Sequence, residues 1–594
     1  MKSKKIQILT ILLLVLLLLP IKTQAQVSGI NITTGSSITA VGAASIYISD
    51  GSLVNNGTYT KGTETITFTG TAAKTISGSS NTDIYSVSVT NTGGITTQVG
   101  LLTLYNLAIA SGSKFAIDPA KAVTVTGTLT NSAGNAGLVL QSSSAGTASL
   151  IQNTASVPAT VNRYISGSAE AWHFLSSPVA AQSISGDWIP SGSYGNGTGY
   201  DLYVWDEATG CWIYKLNTST TVNWNTVHPG SSFGVGRGYL YSVQAANPTM
   251  QFAGNLNDGS TTIALTSSAA DGTLKGFSLV GNPFPSSADW QSASGWTRTG
   301  LVASGSGYDM WIWNPSASNY GVVNSATGSG TNGVTRYIAP MQGFFVRAAS
   351  AGNLILTNSV RVHDGAGSWL KKGLDADNNM VSISINSETG NGSDEVRLMF
   401  DSKMNEPGAA KLFSPVLTAP SLYLNINGEN LSVRYLTDTA ENPLVPFKFK
   451  PGLNGDYLLQ FRFDPYRFET VVLEDRQMRF FSDLKTDNSY KFKSSKTDNP
   501  SRFVLHFSPV EKPSKTELPA SIYTSGNQLV IDLSLITGET EIMVCDVMGR
   551  QLLRKTLKGE ALNNLSIISQ PQLFIVRLQN RIGMVSRKII WLSN

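Results

Sequence analysis

Short runs in which apolar and polar residues alternate recur along the chain. Examples are Tyr85-Ser86-Val87-Ser88-Val89-Thr90, Val123-Thr124-Val125-Thr126, Val381-Ser382-Ile383-Ser384-Ile385 and Phe503-Val504-Leu505-His506-Phe507. A period of two places every second side chain on one face, which is the pattern of half-buried strands and not of helices. Gly, Asn, Ser and Thr separate the runs and supply turns. The chain therefore reads as all-β and multi-domain.

Within 26–158 the units 88–93, 107–112 and 127–132 each give a strand and then a turn, at a spacing of about twenty residues. One coil of a parallel β-solenoid has that length, and such coils bury their apolar face only by stacking. A β-solenoid-like region is expected here, with an ordinary sandwich as the alternative.

The next two hundred residues repeat themselves. Trp172-His173-Phe174-Leu175-Ser176-Ser177-Pro178 is echoed by Phe277-Ser278-Leu279-Val280-Gly281-Asn282-Pro283, and Asp187-Trp188 by Asp289-Trp290. Tyr200-Asp201-Leu202-Tyr203-Val204-Trp205 returns as Tyr308-Asp309-Met310-Trp311-Ile312-Trp313, and Arg237-Gly238-Tyr239-Leu240-Tyr241 as Gln342-Gly343-Phe344-Phe345-Val346. Four blocks in one order at a near-constant offset predict tandem β modules, 160–260 and 270–365. Beyond them, 366–512 reads as an antiparallel β-sandwich, 511–515 as a polar linker, and 516–594 as a small Ig-like sandwich of short alternating strands.

Composition sharpens this division. Of the 43 Lys and Arg and 39 Asp and Glu, 28 lie before residue 361 and 54 from there on, so the first part is unusually neutral. Nine of the 11 Trp fall in the tandem modules, which concentrates the aromatic area there. At the start, Lys2, Lys4 and Lys5 precede an apolar run over 6–19 and then Thr23-Gln24-Ala25, the layout of a secretory signal spanning 1–25 and cleaved between Ala25 and Gln26. No later segment is long and apolar enough to span a bilayer, so no transmembrane segment is expected after signal removal. Removing four Lys cancels the formal charge of +4 and with it the footprint of a nucleic-acid partner.

The chemistry-bearing residues are sparse. Cys211 and Cys545 are expected to be buried as small apolar residues, and four scattered His carry no zinc spacing. Asp375-Ala376-Asp377-Asn378-Asn379 alternates oxygen ligands but lacks the Gly and the Glu of a calcium loop, so a solvated linker is the reading, and no metal or cofactor is expected. No nucleophile elbow, metalloprotease helix or Cys-His signature occurs, and no catalytic residue is assigned. The positive candidate is glycan stacking on Tyr203 and Trp205 or on Trp311 and Trp313, with Asp201 or Asp309 accepting from hydroxyls. Burial of those aromatics in a core is the stronger expectation, since each pair shares one strand face.

In 516–594, Asp546-Val547-Met548-Gly549-Arg550 follows a strand, and Phe574-Ile575-Val576 and the terminal Arg587-Lys588-Ile589-Ile590 come after it. In these features the sequence resembles the C-terminal sorting domain of proteins exported by the type IX secretion system of Bacteroidota, although Gln572-Leu573-Phe574 departs from the usual Gly-aliphatic-Tyr. Segments at 163–178, 281–283, 338–346 and 502–507 resemble large modular surface proteins of the same phylum. The resemblance implies Asp546, Gly549, Arg550, Arg587 and Lys588 as sorting residues read by the type IX machinery. It also implies passage through the periplasm, then release or anchoring to surface lipopolysaccharide. The expected role is that of a secreted or cell-surface, adhesin-like or glycan-binding protein whose partner is an extracellular glycan. The alternative is a polysaccharide-acting hydrolase or lyase.

Overall fold

The computed structural model describes residues 24–591 apart from 50, 170, 190–200, 218, 244, 270–271, 329, 365–378, 389, 391, 402–407, 511–517, 526–527, 560–561 and 567–571. The apolar signal run, Asp375 to Asn378 of the acidic loop and the linker 511–515 lie outside the described residues. Almost every element is a strand. Two compact units divide the chain: residues up to 141 with 150–160, and residues 142–149 with 161–594.

The first unit is a parallel β-solenoid. Ile48 pairs Phe68, Phe68 pairs Val89, and Val89 pairs Ile109, steps of 20, 21 and 20 residues. All four side chains are buried, so each coil extends one apolar rung. A second wall stacks Ile95 on Phe115 and Phe115 on Leu138 in the same way. Lys74 sits in this apolar interior, where its ammonium donates to the carbonyls of Ile48, Ser49 and Thr69, the compensation a buried charge requires. Ala25 and Gln26 lie in the opening strand, Gln24–Val27, paired with Ser45–Ile48.

In the second unit the echo blocks fall on strands. Copy 1 contains β1 (Trp172–Leu175), β2 (Asp201–Asp206), β3 (Cys211–Tyr214) and β4 (Tyr239–Ser242), in the sheet order β1-β4-β2-β3. Copy 2 contains β5 (Phe277–Gly281), β6 (Gly307–Asn314), β7 (Asn319–Asn324) and β8 (Gly343–Arg347), in the order β5-β8-β6-β7. The registers also agree: Leu175 pairs Tyr239 as Val280 pairs Phe344, and Trp205 pairs Trp212 as Trp313 pairs Tyr320.

The copies meet through contacts that are each made twice. Leu175 bridges Gln342, and their counterparts 105 positions away, Val280 and Arg237, bridge each other. The Ser176 amide donates to Met341 at 2.9 Å, as the Gly281 amide does to Gly236 at 2.8 Å. This is the self-complementary pattern of an isologous interface, built here within one chain. Gly343 and Gly238 permit the close approach, since an added Cβ would lie 2.9 Å from Phe174 Cβ or 2.6 Å from Leu279 Cγ.

The strands from Met380–Ser387 to Phe503–His506 join one 11-stranded sheet around a single core that includes Ile383, Leu398, Phe447, Leu459 and Phe503. One pair within it, Ser393–Phe400 with Glu429–Leu436, is parallel. A buried Arg502 grips Asp475 with both Nε and Nη2, at 2.8 and 2.6 Å, and fixes that core's polar end. The C-terminal residues form sheets of three and four strands over a core drawn from Leu518 to Ile589 alone. Among the described residues no helix is long and apolar enough to cross a membrane.

Candidate functional site: an aromatic groove

Each tandem sheet has two apolar faces. In copy 2, Met310, Ile312, Phe344 and Val346 point into the module's own core, while Trp311, Trp313, Val322 and Phe345 point the other way, as alternation demands. That second face of copy 2 is roofed by the following sheet: Met380, Met399, Leu412, Val433 and Tyr435 pack on it. Trp311 is 3% exposed, and its Nε1 donates to the Ala410 carbonyl at 3.0 Å.

Polar contacts fasten the roof. Asn319 Nδ2 donates to Ser393 O at 2.8 Å and Pro420 O at 3.0 Å, and Asn332 Nδ2 donates to Asp394 Oδ1 at 2.9 Å. Asp394 in turn pairs with Lys411, both side chains fully buried.

Among the described residues the equivalent face of copy 1 is only partly covered: Phe174, Trp205, Trp212 and Leu240 join the same apolar cluster, and the rest faces a groove. Trp172, Phe174, Tyr203, Trp212 and Leu240 line one side of a groove of about 400 Å³. Trp313 and Tyr320 of copy 2 form its floor, and Pro415 and Val416 form a lip. The loop that roofs copy 2 through Leu412 therefore borders the groove through its next residues, and Leu417 beside them is 87% exposed. The rings meet edge to face: Trp172 with Tyr203 at 5.3 Å, and Trp313 with Tyr320 at 5.1 Å. None of the described lining residues is Asp, Glu, Lys, Arg or His. His173, between Trp172 and Phe174, faces the opposite side of β1, where burial and then the charge of Arg163 pull it down to about 4.

The expected stacking residues thus separate along a different line from the one their spacing drew. Tyr203 and Trp313 reach the groove, one from each copy. Trp311 is sealed under the roof, and Trp205 turns into the interface between copies, where its Nε1 donates to Phe277 O at 2.6 Å. The carboxylates named beside them do not line the groove. Asp309 is buried against Asn324 and is pushed up to about 7 by that burial. Asp201 is buried and accepts from the Tyr214 hydroxyl.

Sequence reasoning missed Trp172, Trp212, Leu240, Tyr320 and the lip as site residues. Trp212 and Tyr320 stand 108 positions apart, the same offset as Trp205 and Trp313, so the internal repeat carried their signal. It also missed Glu207, a carboxylate at the β2–β3 turn. Glu207 accepts from the amides of Ala269 and Gly276 at 3.0 and 2.8 Å and from the Thr266 hydroxyl at 2.8 Å. Burial opposes its ionisation, but those donors outweigh it and hold the carboxyl at about 2. Glu207 thereby straps the copy 1 hairpin to the segment that leads into copy 2.

At the C-terminal module, Asp546 is 4% exposed and spends its carboxylate on its own loop, accepting from the amides of Met548 and Arg550 at 3.0 and 2.9 Å. Gly549, at φ +82°, closes this tight hairpin. Arg550, Arg587 and Lys588 are exposed, as are Val547 and, at 88%, Met548 on the loop tip. The surface offered here is therefore Val547, Met548 and Arg550, with Asp546 as the residue that shapes it. Cys211 is exposed rather than buried, because it opens β3 opposite Asp206 at the edge of the sheet.

No curated protein matches the sequence. Among solved structures, a chain titled "Biofilm associated protein - BSP domain" is similar at 10% identity over 75% of this chain and 95% of that one. Its TM-score of 0.12 is too low for the likeness to carry any argument about fold or role. A family model described as a domain of unknown function, DUF8693, matches residues 75–507, well over half of the chain, and the protein belongs to that family.

Proposed function

We propose that this is an exported, surface-displayed protein with an adhesin-like role, which holds extracellular glycan in the aromatic groove between its tandem modules. The observation that carries the proposal is the largely open face of copy 1, where half-buried Trp172 and Trp212 stand over buried Tyr203, Trp313 and Tyr320. Ligand sites are typically concave, largely preformed and lined by aromatic side chains, and a volume of 400 Å³ lies in their usual range. Binding is favoured over hydrolysis because the described lining is aromatic and aliphatic, with no carboxylate pair among its described residues of the sort that glycosidic cleavage uses. The direct test is a glycan array probed with the mature chain and with Trp172→Ala/Trp212→Ala. The reading expects signals that the double variant loses, and signals that persist in it would place binding elsewhere.

We further propose that 516–594 acts as a type IX sorting domain. Two features support this: the module's core is its own, and the family match stops at 507, short of it. A chain ending at 510 is expected to fold and to remain in the periplasm. Recovery of that truncated chain on the cell surface would refute the sorting role.

A further inference from the structure

We infer that the groove selects neutral pyranosides that offer oxygen acceptors, and discriminates against sugars carrying a carboxylate, sulfate or phosphate. This rests on the glycan reading above and narrows it.

The first observation is the state of the indole donors. Away from the groove, Trp188, Trp205, Trp290, Trp296 and Trp311 each donate Nε1 to a backbone carbonyl, at 2.6 to 3.1 Å. The three that line the groove behave otherwise. Trp313 Nε1 is buried without a partner, and the indole nitrogens of Trp172 and Trp212 have no acceptor among the described residues. Among the described residues Trp224 is the one other unpaired indole, and it lies outside the groove lining, under the Lys215 ammonium. A Trp N–H in an apolar setting ordinarily finds an acceptor; half-buried Trp172 and Trp212 leave donors that a ligand oxygen would satisfy, whereas the Trp313 donor is closed to solvent.

The second observation is the absence of charge from the described lining residues. An ionised group brought between these rings would lose its water and gain no counter-ion, a cost that neutral hydroxyl, ring or acetamido oxygens do not incur. Apolar ring faces with unpaired donors match a molecule that has C–H faces and neutral oxygen edges.

The same array of neutral and acidic glycans, probed with the mature wild-type chain, tests selectivity without any variant. Neutral glycans are expected to bind at least ~10-fold more tightly than acidic glycans of the same length. Fluorescence titration of the strongest neutral hit then compares wild type with Trp172→Phe/Trp212→Phe, which keeps rings but removes two donors. A weakening of about three- to tenfold is expected, with thermal unfolding nearly unchanged. Acidic glycans binding as well as neutral ones would overturn the selectivity while leaving the glycan reading intact. An unchanged affinity in the Phe variant would overturn the donor argument. Failure of every glycan to bind would overturn both readings.

Discussion

Copy 1 and copy 2 of the tandem module share a strand order and a register, yet they treat the same face in opposite ways. In copy 2 the face bearing Trp311 and Phe345 is a buried interface, roofed by Met380, Met399, Leu412 and Tyr435. In copy 1 the face bearing Tyr203 and Leu240 opens into the groove. The aromatic alternation is equivalent in both, so it specifies a two-faced sheet and leaves the use of the second face to whatever follows in the chain. Duplication thus supplies one apolar face that is sealed in assembly and a twin that stays largely open. Exposed apolar patches of this kind on soluble proteins generally mark an interaction site.

Because of that difference, equivalent substitutions are expected to have unequal effects. The largest is expected at Trp311→Ala, which removes a roofed indole and its bond to Ala410 and should cost about 3–5 kcal/mol in chemical denaturation. Lys411→Met should come close behind, at about 3 kcal/mol or more, because it leaves Asp394 buried without its ion-pair partner and loosens the roof.

The two copies should also respond to pH with opposite sign. Glu207 has a folded value of about 2, below its ordinary 4.5, so the stability it contributes is present above pH ~4.5 and lost as pH falls towards 2. Glu207→Gln should remove about 2–3 kcal/mol at neutral pH and flatten that acid limb. Asp309 is raised to about 7 from 3.8, so its contribution is present below pH ~4 and lost as pH rises through 7. Asp309→Asn should flatten that second slope and leave the protein at least as stable at pH 8. Unfolding midpoints across pH 2–9 measure both.

The smallest stability effect belongs to the open face. Trp172→Ala should cost no more than about 1.5 kcal/mol while abolishing groove binding. Its counterpart Phe277→Ala should cost more and, in the folded fraction, leave binding in place.

The sequence made the fold class legible because burial on one face imposes a period of two, and because stacked coils impose a repeat of about twenty residues on rungs such as Ile48, Phe68 and Val89. It did not reveal which aromatics are open. Trp205 and Trp313 occupy equivalent positions, yet one donates to Phe277 and the other has no partner, and Trp311 is closed by residues up to 124 positions downstream. Exposure of that kind is a property of the assembly, which local alternation does not encode. The same holds at Asp546, which the resemblance implied as a residue read by the sorting machinery, whereas the tight hairpin turns its carboxylate inward to satisfy its own amides.

The central claim, one face roofed and its twin open, is tested most directly by hydroxyl-radical footprinting of residues 26–594 without ligand. Trp172 and Trp212 are predicted to oxidise rapidly, while Trp311 and Trp290 stay protected until the chain unfolds. Oxidation of Trp311 at the rate of Trp172 would contradict the account.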